Sequence, residues 1–140
     1  MQLDHIGIVV PSLEEGLKHW EDLFGYKKNS DIVVNSRQKV RVVFLAKENS
    51  LTIKLIEPSE TSSPIFQFAR RGGGLHHLCF RCDDLKIQMP ILRDKGARFI
   101  VPPQPGEAFC DNDIAFFLGP NNLNVELIDT TEKQGWIDLE

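Results

Sequence analysis

The sequence predicts an α+β fold: two tandem βαβββ modules whose strands form a cupped, half-open mixed β-sheet barrel with the helices outside. Three observations predict it. Leu3 to Leu13 (LDHIGIVVPSL) and Leu75 to Leu85 (LHHLCFRCDDL) share one pattern, which lays His5 on His77 and Leu13 on Leu85 at an offset of 72 residues. The same offset lays Leu51 to Glu57 on Leu123 to Asp129. Each repeated phrase alternates like a strand and then runs into a helix start. A unit of about 70 residues is marginal alone and needs the other to cover its apolar face.

The first module spans residues 1–58. Residues 3–10 alternate, with His5, Gly7 and Val9 on one face and Ile6, Ile8 and Val10 on the other. Pro11 ends the strand, and Ser12 with Glu15 makes a capping box. Leu13, Leu17, Trp20 and Phe24 recur at helical spacing until Gly25 closes the helix. Strands are expected at 30–35, 40–46 and 51–57. Residues 59–74 form a linker in which Ser63 and Pro64 cap a short helix over Ile65 to Ala69, ended by a glycine run at 72–74 that reads as a flexible hinge. The run follows a helix and precedes a strand, the reverse of a phosphate-binding loop. The second module, 75–130, carries a strand at 75–82 and a helix from about Asp84 to Lys95, which Pro90 should kink. A strand at 98–101 precedes a stiff loop with Pro102, Pro103 and Pro105, and strands at 113–118 and 123–129 finish the unit. Residues 131–140 are a polar tail, with Trp136 a stray exposed ring or an anchor onto a partner subunit.

A net charge of −4 with dispersed lysines and arginines argues against a nucleic-acid partner. No apolar run approaches the roughly 20 residues of a membrane span, and residues 1–10 lack the basic start of a signal peptide. A soluble cytoplasmic protein is expected. The three cysteines fit a reducing compartment. Cys79 and Cys82 spell C-x-x-C, but on a strand their side chains point to opposite faces, so they read as packing residues.

Strand parity decides which polar groups meet. His5, Thr52, Lys54, His77, Cys79, Arg81, Asn124 and Glu126 all lie opposite the apolar faces. If those sides share one concave surface, His5, His77, Glu126 and Lys54 become related in pairs by a pseudo-twofold axis. Two imidazoles and a carboxylate on rigid strands suit a divalent metal with open positions for substrate or water. By the same parity His76 faces away and serves packing, and His19 is an exposed helix residue.

The paired units, the opening LDHIGIVVPSL, the central SPIFQF and GGGLHHLCFRCDDL, and the closing NVELID resemble the vicinal oxygen chelate superfamily. That group includes glyoxalase I, methylmalonyl-CoA epimerase, extradiol dioxygenases and bleomycin-resistance proteins. The resemblance covers nearly all of residues 1–130 and is nearest the epimerase branch. It implies ligands on four strands, at His5, Lys54, His77 and Glu126. Lys54 departs from the glutamine or glutamate of relatives, because an ammonium has three donors and no lone pair. Either a three-ligand site of His5, His77 and Glu126 survives, for zinc, nickel, cobalt, manganese or iron, or the ammonium takes the cation's place. Some epimerase relatives also carry a carboxylate base on the strand matching 40–46, where Val42 stands here.

The resemblance implies a glyoxalase-like or epimerase-like lyase or isomerase. It would move a proton next to a carbonyl through an enolate, with Glu126 and Lys54 catalytic and Thr52, Arg81 and Asn124 binding substrate. An acyl-CoA or a glutathione thioester is the expected partner. A non-haem iron dioxygenase-like enzyme and a metal-free binding protein are the alternatives. Loops 26–39 and 102–112 should set substrate choice, and a homodimer is expected because it would cover exposed edge strands.

Overall fold

A computed structural model describes residues 1–137; the last three positions of the expected tail lie outside the described residues. The strands are β1 (Gln2–Val9), β2 (Lys27–Lys28), β3 (Val33–Asn35), β4 (Val40–Ala46), β5 (Thr52–Pro58), β6 (Gly74–Arg81), β7 (Arg98–Gly106), β8 (Asn112–Leu118) and β9 (Asn124–Ile128). The helices are α1 (Leu13–Phe24), α2 (Phe66–Arg70) and α3 (Leu85–Asp94). All strands join one nine-stranded open sheet in the order β2-β4-β5-β1-β6-β9-β8-β7, with β3 also on β4. β1 pairs parallel with β5 and β6 parallel with β9, while β1 and β6 pair antiparallel at the centre. The order reads alike from both ends, as two copies related by a twofold must. Both halves meet within one chain.

α1 and α3 cover the convex side, and α2 packs its Ala69 into the inner cluster. Leu13 packs with Val43, Leu45, Ile53 and Leu55, and Leu85 with Met89 packs against Val125 and Leu127. One device fixes both helix starts. The backbone N–H of Leu13 donates to Glu57 Oε2 at 2.6 Å, and that of Leu85 to Asp129 Oδ2 at 3.0 Å. Each carboxylate ends the strand beneath its helix and sits at the positive end of the helix dipole. Ser12 also caps α1, its Oγ accepting from the Glu15 amide, and Gly25 closes the helix in the left-handed region.

Several elements differ from expectation for identifiable reasons. The strand expected at 30–35 shortens to β3, and a separate two-residue β2 precedes it across buried Asn29 and Ser30. There Ser30 Oγ accepts from the Phe44 amide at 2.9 Å, so a hydroxyl replaces a ladder partner. The short helix begins at Phe66 rather than on Pro64, with no side-chain cap. α3 carries through Pro90 as one helix. β7 continues through Pro102, Pro103 and Pro105 to Gly106, because an edge strand tolerates missing donors. The glycine run is a close-packed turn rather than a loose hinge. All three residues have positive φ, and a Cβ on Gly73 would overlap the Val9 carbonyl.

The concave side is more apolar than strand parity suggested. Val9, Val40, Val42, Phe44, Ile56, Phe109, Ile114 and Ile128 form a third buried cluster there, around the polar groups. Val42 lies in that cluster, so the position that would present a base from β4 offers only an isopropyl group. Cys79 belongs to this inner cluster and Cys82 to the one under α3. The two thiols therefore face opposite ways, and burial pushes the Cys79 thiol well above its usual range.

Candidate active site

Four strands each deliver one side chain to the middle of the cup: His5 from β1, Lys54 from β5, His77 from β6 and Glu126 from β9. Ile6 pairs with Leu78 across the central ladder, and on either side His5 faces Cys79 and Gly7 faces His77. Each imidazole thus lies opposite a small residue. At Gly7 the need is steric, since a Cβ would overlap the His77 ring.

The four groups close on Glu126. His5 Nε2 lies 3.1 Å and His77 Nε2 3.3 Å from Glu126 Oε1. The two Nε2 atoms are 3.4 Å apart, and Lys54 Nζ is 3.6 Å from Glu126 Oε2. Relative exposures are 0 % for His5 and Glu126, 2 % for His77 and 5 % for Lys54. Neither Glu126 oxygen receives a hydrogen bond among the described residues. Burial alone would push the Glu126 carboxyl up; the Lys54 charge and the two nearby rings outweigh it and hold the pKa well below the ordinary value. Burial drives the His77 pKa down to about 4, against a partly offsetting pull from Glu126.

An ionised buried carboxylate without a donor is costly unless a cation meets it. His5, His77 and Glu126 bring one ligand atom each within 4.8 Å of one another. That donor set fits a divalent ion held by two imidazoles and a carboxylate. Lys54 is not a fourth ligand. Its ammonium sits 5.1 Å from the Phe109 ring centroid and 5.9 Å from that of Phe44, a fixed positive charge in an aromatic box.

A second layer of residues escaped the sequence reading. Asp4 Oδ2 is 2.8 Å from His5 Nδ1, the carboxylate–histidine arrangement that orients metal-binding imidazoles. Asp4 is anchored by Arg81 Nη1 at 2.9 Å and by Lys133 Nζ at 3.2 Å. Burial would raise its carboxyl, but the bond from His5 and the Lys133 charge bring it below the usual range. His76, expected to face away, instead places Nδ1 2.8 Å from His77 Nδ1. The cause is a pair of bulges. The β1–β6 register shifts between Leu3 and His5 and again between Gly7 and Ile8. A bulge turns its extra residue out of strict alternation, so Asp4 and His76 escape the parity rule. A fixed offset of 72 relates them too, and that offset was the available signal.

The remaining expected residues surround this centre. Thr52 is half-buried and pairs with His5 in the β1–β5 ladder. Asn124 donates to the His76 carbonyl at 3.4 Å and lines a cleft of about 310 Å³. The cleft has apolar walls from Val40, Ile65, Ile100 and Phe116, with His76 and Arg37 among its polar groups. Arg81 is engaged by Asp4 and by Gln2 Oε1 at 2.7 Å.

Residues 4–116 match the Glyoxalase/Bleomycin resistance protein/Dioxygenase superfamily. The chain is 33% identical to the uncharacterized protein YqjC of Bacillus subtilis, over 96% of this chain and 94% of that one. It is 31% identical to the mitochondrial methylmalonyl-CoA epimerase of Dictyostelium discoideum, over 94% and 78%. The crystal structure of methylmalonyl-CoA epimerase from Mycobacterium tuberculosis superposes with a TM-score of 0.80 at 29% identity, covering 93% of this chain and 88% of that one. With two duplicated halves closing on His5, His77 and Glu126, the chain belongs to the glyoxalase/bleomycin resistance protein/dioxygenase superfamily, also called the vicinal oxygen chelate superfamily.

Proposed function

We propose that this protein is an isomerase of the epimerase type, moving a proton at the carbon next to the thioester carbonyl of an acyl-CoA. The observation that carries the reading is the convergence of His5, His77 and Glu126 on one buried point beside an apolar cleft. The kinship with methylmalonyl-CoA epimerases supports it and supplies the substrate class. His5, His77 and Glu126 would hold a divalent cation, which when bound supplies Lewis-acid stabilisation of an enolate oxygen. The protein's own groups do the rest. Lys54 keeps a positive charge in a dry, aromatic-walled position, where it stabilises developing negative charge without reorganising. Glu126 enters ionised, the form that accepts a proton. Asn124 on the cleft wall and Thr52 beside His5 are the substrate-binding positions, and Arg81 serves by holding Asp4.

The test is solvent exchange. Zinc-loaded protein in D2O is expected to put deuterium at the α-carbon of methylmalonyl-CoA, and Glu126→Gln to slow this by about 10²-fold or more. No exchange with methylmalonyl-, ethylmalonyl- or other branched acyl-CoA thioesters would overturn the reading. An oxygen-dependent iron enzyme on the same three groups is the second reading, favoured by Lys54 leaving only three ligands. Oxygen uptake by ferrous protein separates the two.

A further inference from the structure

We infer that His76 positions His77 and presents the cleft with a hydrogen-bond donor that reads an acceptor oxygen of the bound ligand, its carbonyl or carboxylate. The inference deepens the proposed function and rests on it for the ligand class. It starts from the duplication. Asp4 and His76 are the bulged residues of the two halves, and each approaches the Nδ1 of the histidine that follows it at 2.8 Å. One is a carboxylate and the other an imidazole, so the two halves orient their histidines by different chemistry.

The proton count follows from the donors. A carboxylate only accepts, so His5 carries its hydrogen on Nδ1 and keeps on Nε2, 3.1 Å from Glu126 Oε1, a lone pair for a cation held between them. His77 places its Nε2 at the same carboxylate oxygen, 3.4 Å from His5 Nε2. To offer the matching lone pair, His77 must carry its hydrogen on Nδ1 and donate it to His76 Nδ1. His76 then accepts there and carries its own hydrogen on Nε2. Its ring stands nearly perpendicular to His77 at 85°, with a centroid distance of 5.1 Å, and it lines the cleft. With Nδ1 committed to His77, the Nε2–H is left for the cleft. Around it stand Asn124 and the apolar side chains of Val40, Ile65 and Phe116. Such a place suits an oxygen on a short apolar chain, the layout of a branched acyl thioester. Ligand oxygen, His76 and His77 thereby form one line of hydrogen bonds that ends at His77 Nδ1 and leaves the Nε2 lone pair for a cation shared with Glu126.

Ring-nitrogen NMR on the full chain decides the assignment. Long-range proton–nitrogen correlation on zinc-loaded protein at neutral pH is expected to show His76 as the Nε2–H tautomer and His77 as the Nδ1–H tautomer; His76 as Nδ1–H would overturn the inference. Calorimetric titration of zinc into wild type, His76→Asn and His76→Phe tests the positioning role. The Phe variant should lose about 10- to 100-fold in affinity, and Asn should recover most of it through its amide oxygen. Equal zinc binding by all three would sink the positioning role while leaving the metal site standing. If wild type takes up no zinc, the metal reading fails and the tautomer assignment with it, while the cleft donor is still tested by ligand binding. Methylmalonyl-CoA should bind the Phe variant at least about fivefold more weakly; an unchanged Kd would remove the cleft donor.

Discussion

Lys54 is the residue that separates this site from a four-ligand one. Its ammonium lies 3.6 Å from Glu126 Oε2, so the carboxylate that would coordinate a divalent ion already neutralises a charge. An incoming cation must share that carboxylate and tolerate a like charge within a few ångströms, where screening by water is weak. Lys54→Gln removes the like charge and adds a carbonyl lone pair. It is expected to bind zinc at least about tenfold more tightly, by competition against a chromophoric chelator, since a tenfold change needs only about 1.4 kcal/mol. Equal or weaker binding would defeat this view of Lys54. The imidazole beside it sets an acid limit. His77 takes a proton near 6.5 when unfolded and only near about 4 when folded. Between those values the unfolded chain binds more protons, so stability is complete above pH 6.5 and declines as pH falls toward 4. The full effect is roughly 3 kcal/mol. Glu126, depressed in the fold, adds a loss of the same sign below its ordinary range. Urea midpoints of metal-free protein at pH 7, 6 and 5 should therefore fall, and His77→Asn should flatten the slope above pH 5.

Strands and helices carry the repeat in forms that pattern reading catches unevenly. The alternation at His5 and His77, the cap at Ser12 and the strand ends at Glu57 and Asp129 could be read directly, because each depends on local spacing. Asp4, His76 and Gly7 could not. Their roles come from a register shift between β1 and β6 and from a ring lying across the neighbouring strand, and neither is a property of one segment. The prolines of β7 misled for a similar reason: whether a strand tolerates them depends on its place in the sheet, and β7 is an edge. Those prolines and the two-residue β2 also blunt the sheet edges against pairing. The helix ties are testable at this scale. Asp129 binds the first amide of α3 at 3.0 Å, while Glu57 shares its carboxylate between α1 and Arg41. Asp129→Ala should cost about 1 kcal/mol, read as a lowered thermal midpoint; Asp129→Asn, which still accepts, should recover most of it.

At the scale of the whole molecule the C-terminal segment departs from the twofold, for after β5 the chain runs instead into α2 and the glycine turn. Sequence alone gave it the look of a solvated tail, since a polar stretch with one tryptophan carries no period. The structure folds it back across both halves. Asp31 donates its amide to the Gly135 carbonyl at 3.1 Å, Gln134 its amide to Ala108 at 2.8 Å, and Ile137 its amide to Asn29 at 2.9 Å. Trp136 packs on Phe44 in its own chain, ring centroids 6.3 Å apart, rather than standing free. Lys133 passes beneath, 5.5 Å from the Phe44 centroid, to reach Asp4. The segment therefore shuts the cup behind His5 and supplies one of the two cationic side chains that hold Asp4. Truncation after Thr130 removes three backbone hydrogen bonds, a buried lysine stem and the cover on Phe44. It should cost roughly 2–4 kcal/mol, at about 1 kcal/mol for each net hydrogen bond and apolar side chain lost. Weaker support of His5 by Asp4 should also lower zinc affinity about tenfold. Lys133→Met separates the two effects: it keeps the apolar stem and removes the charge, so it should lower zinc affinity with little change in the thermal midpoint. Zinc affinity unchanged in both variants would mean that Arg81 alone holds Asp4 and that the tail serves only to cover the cup.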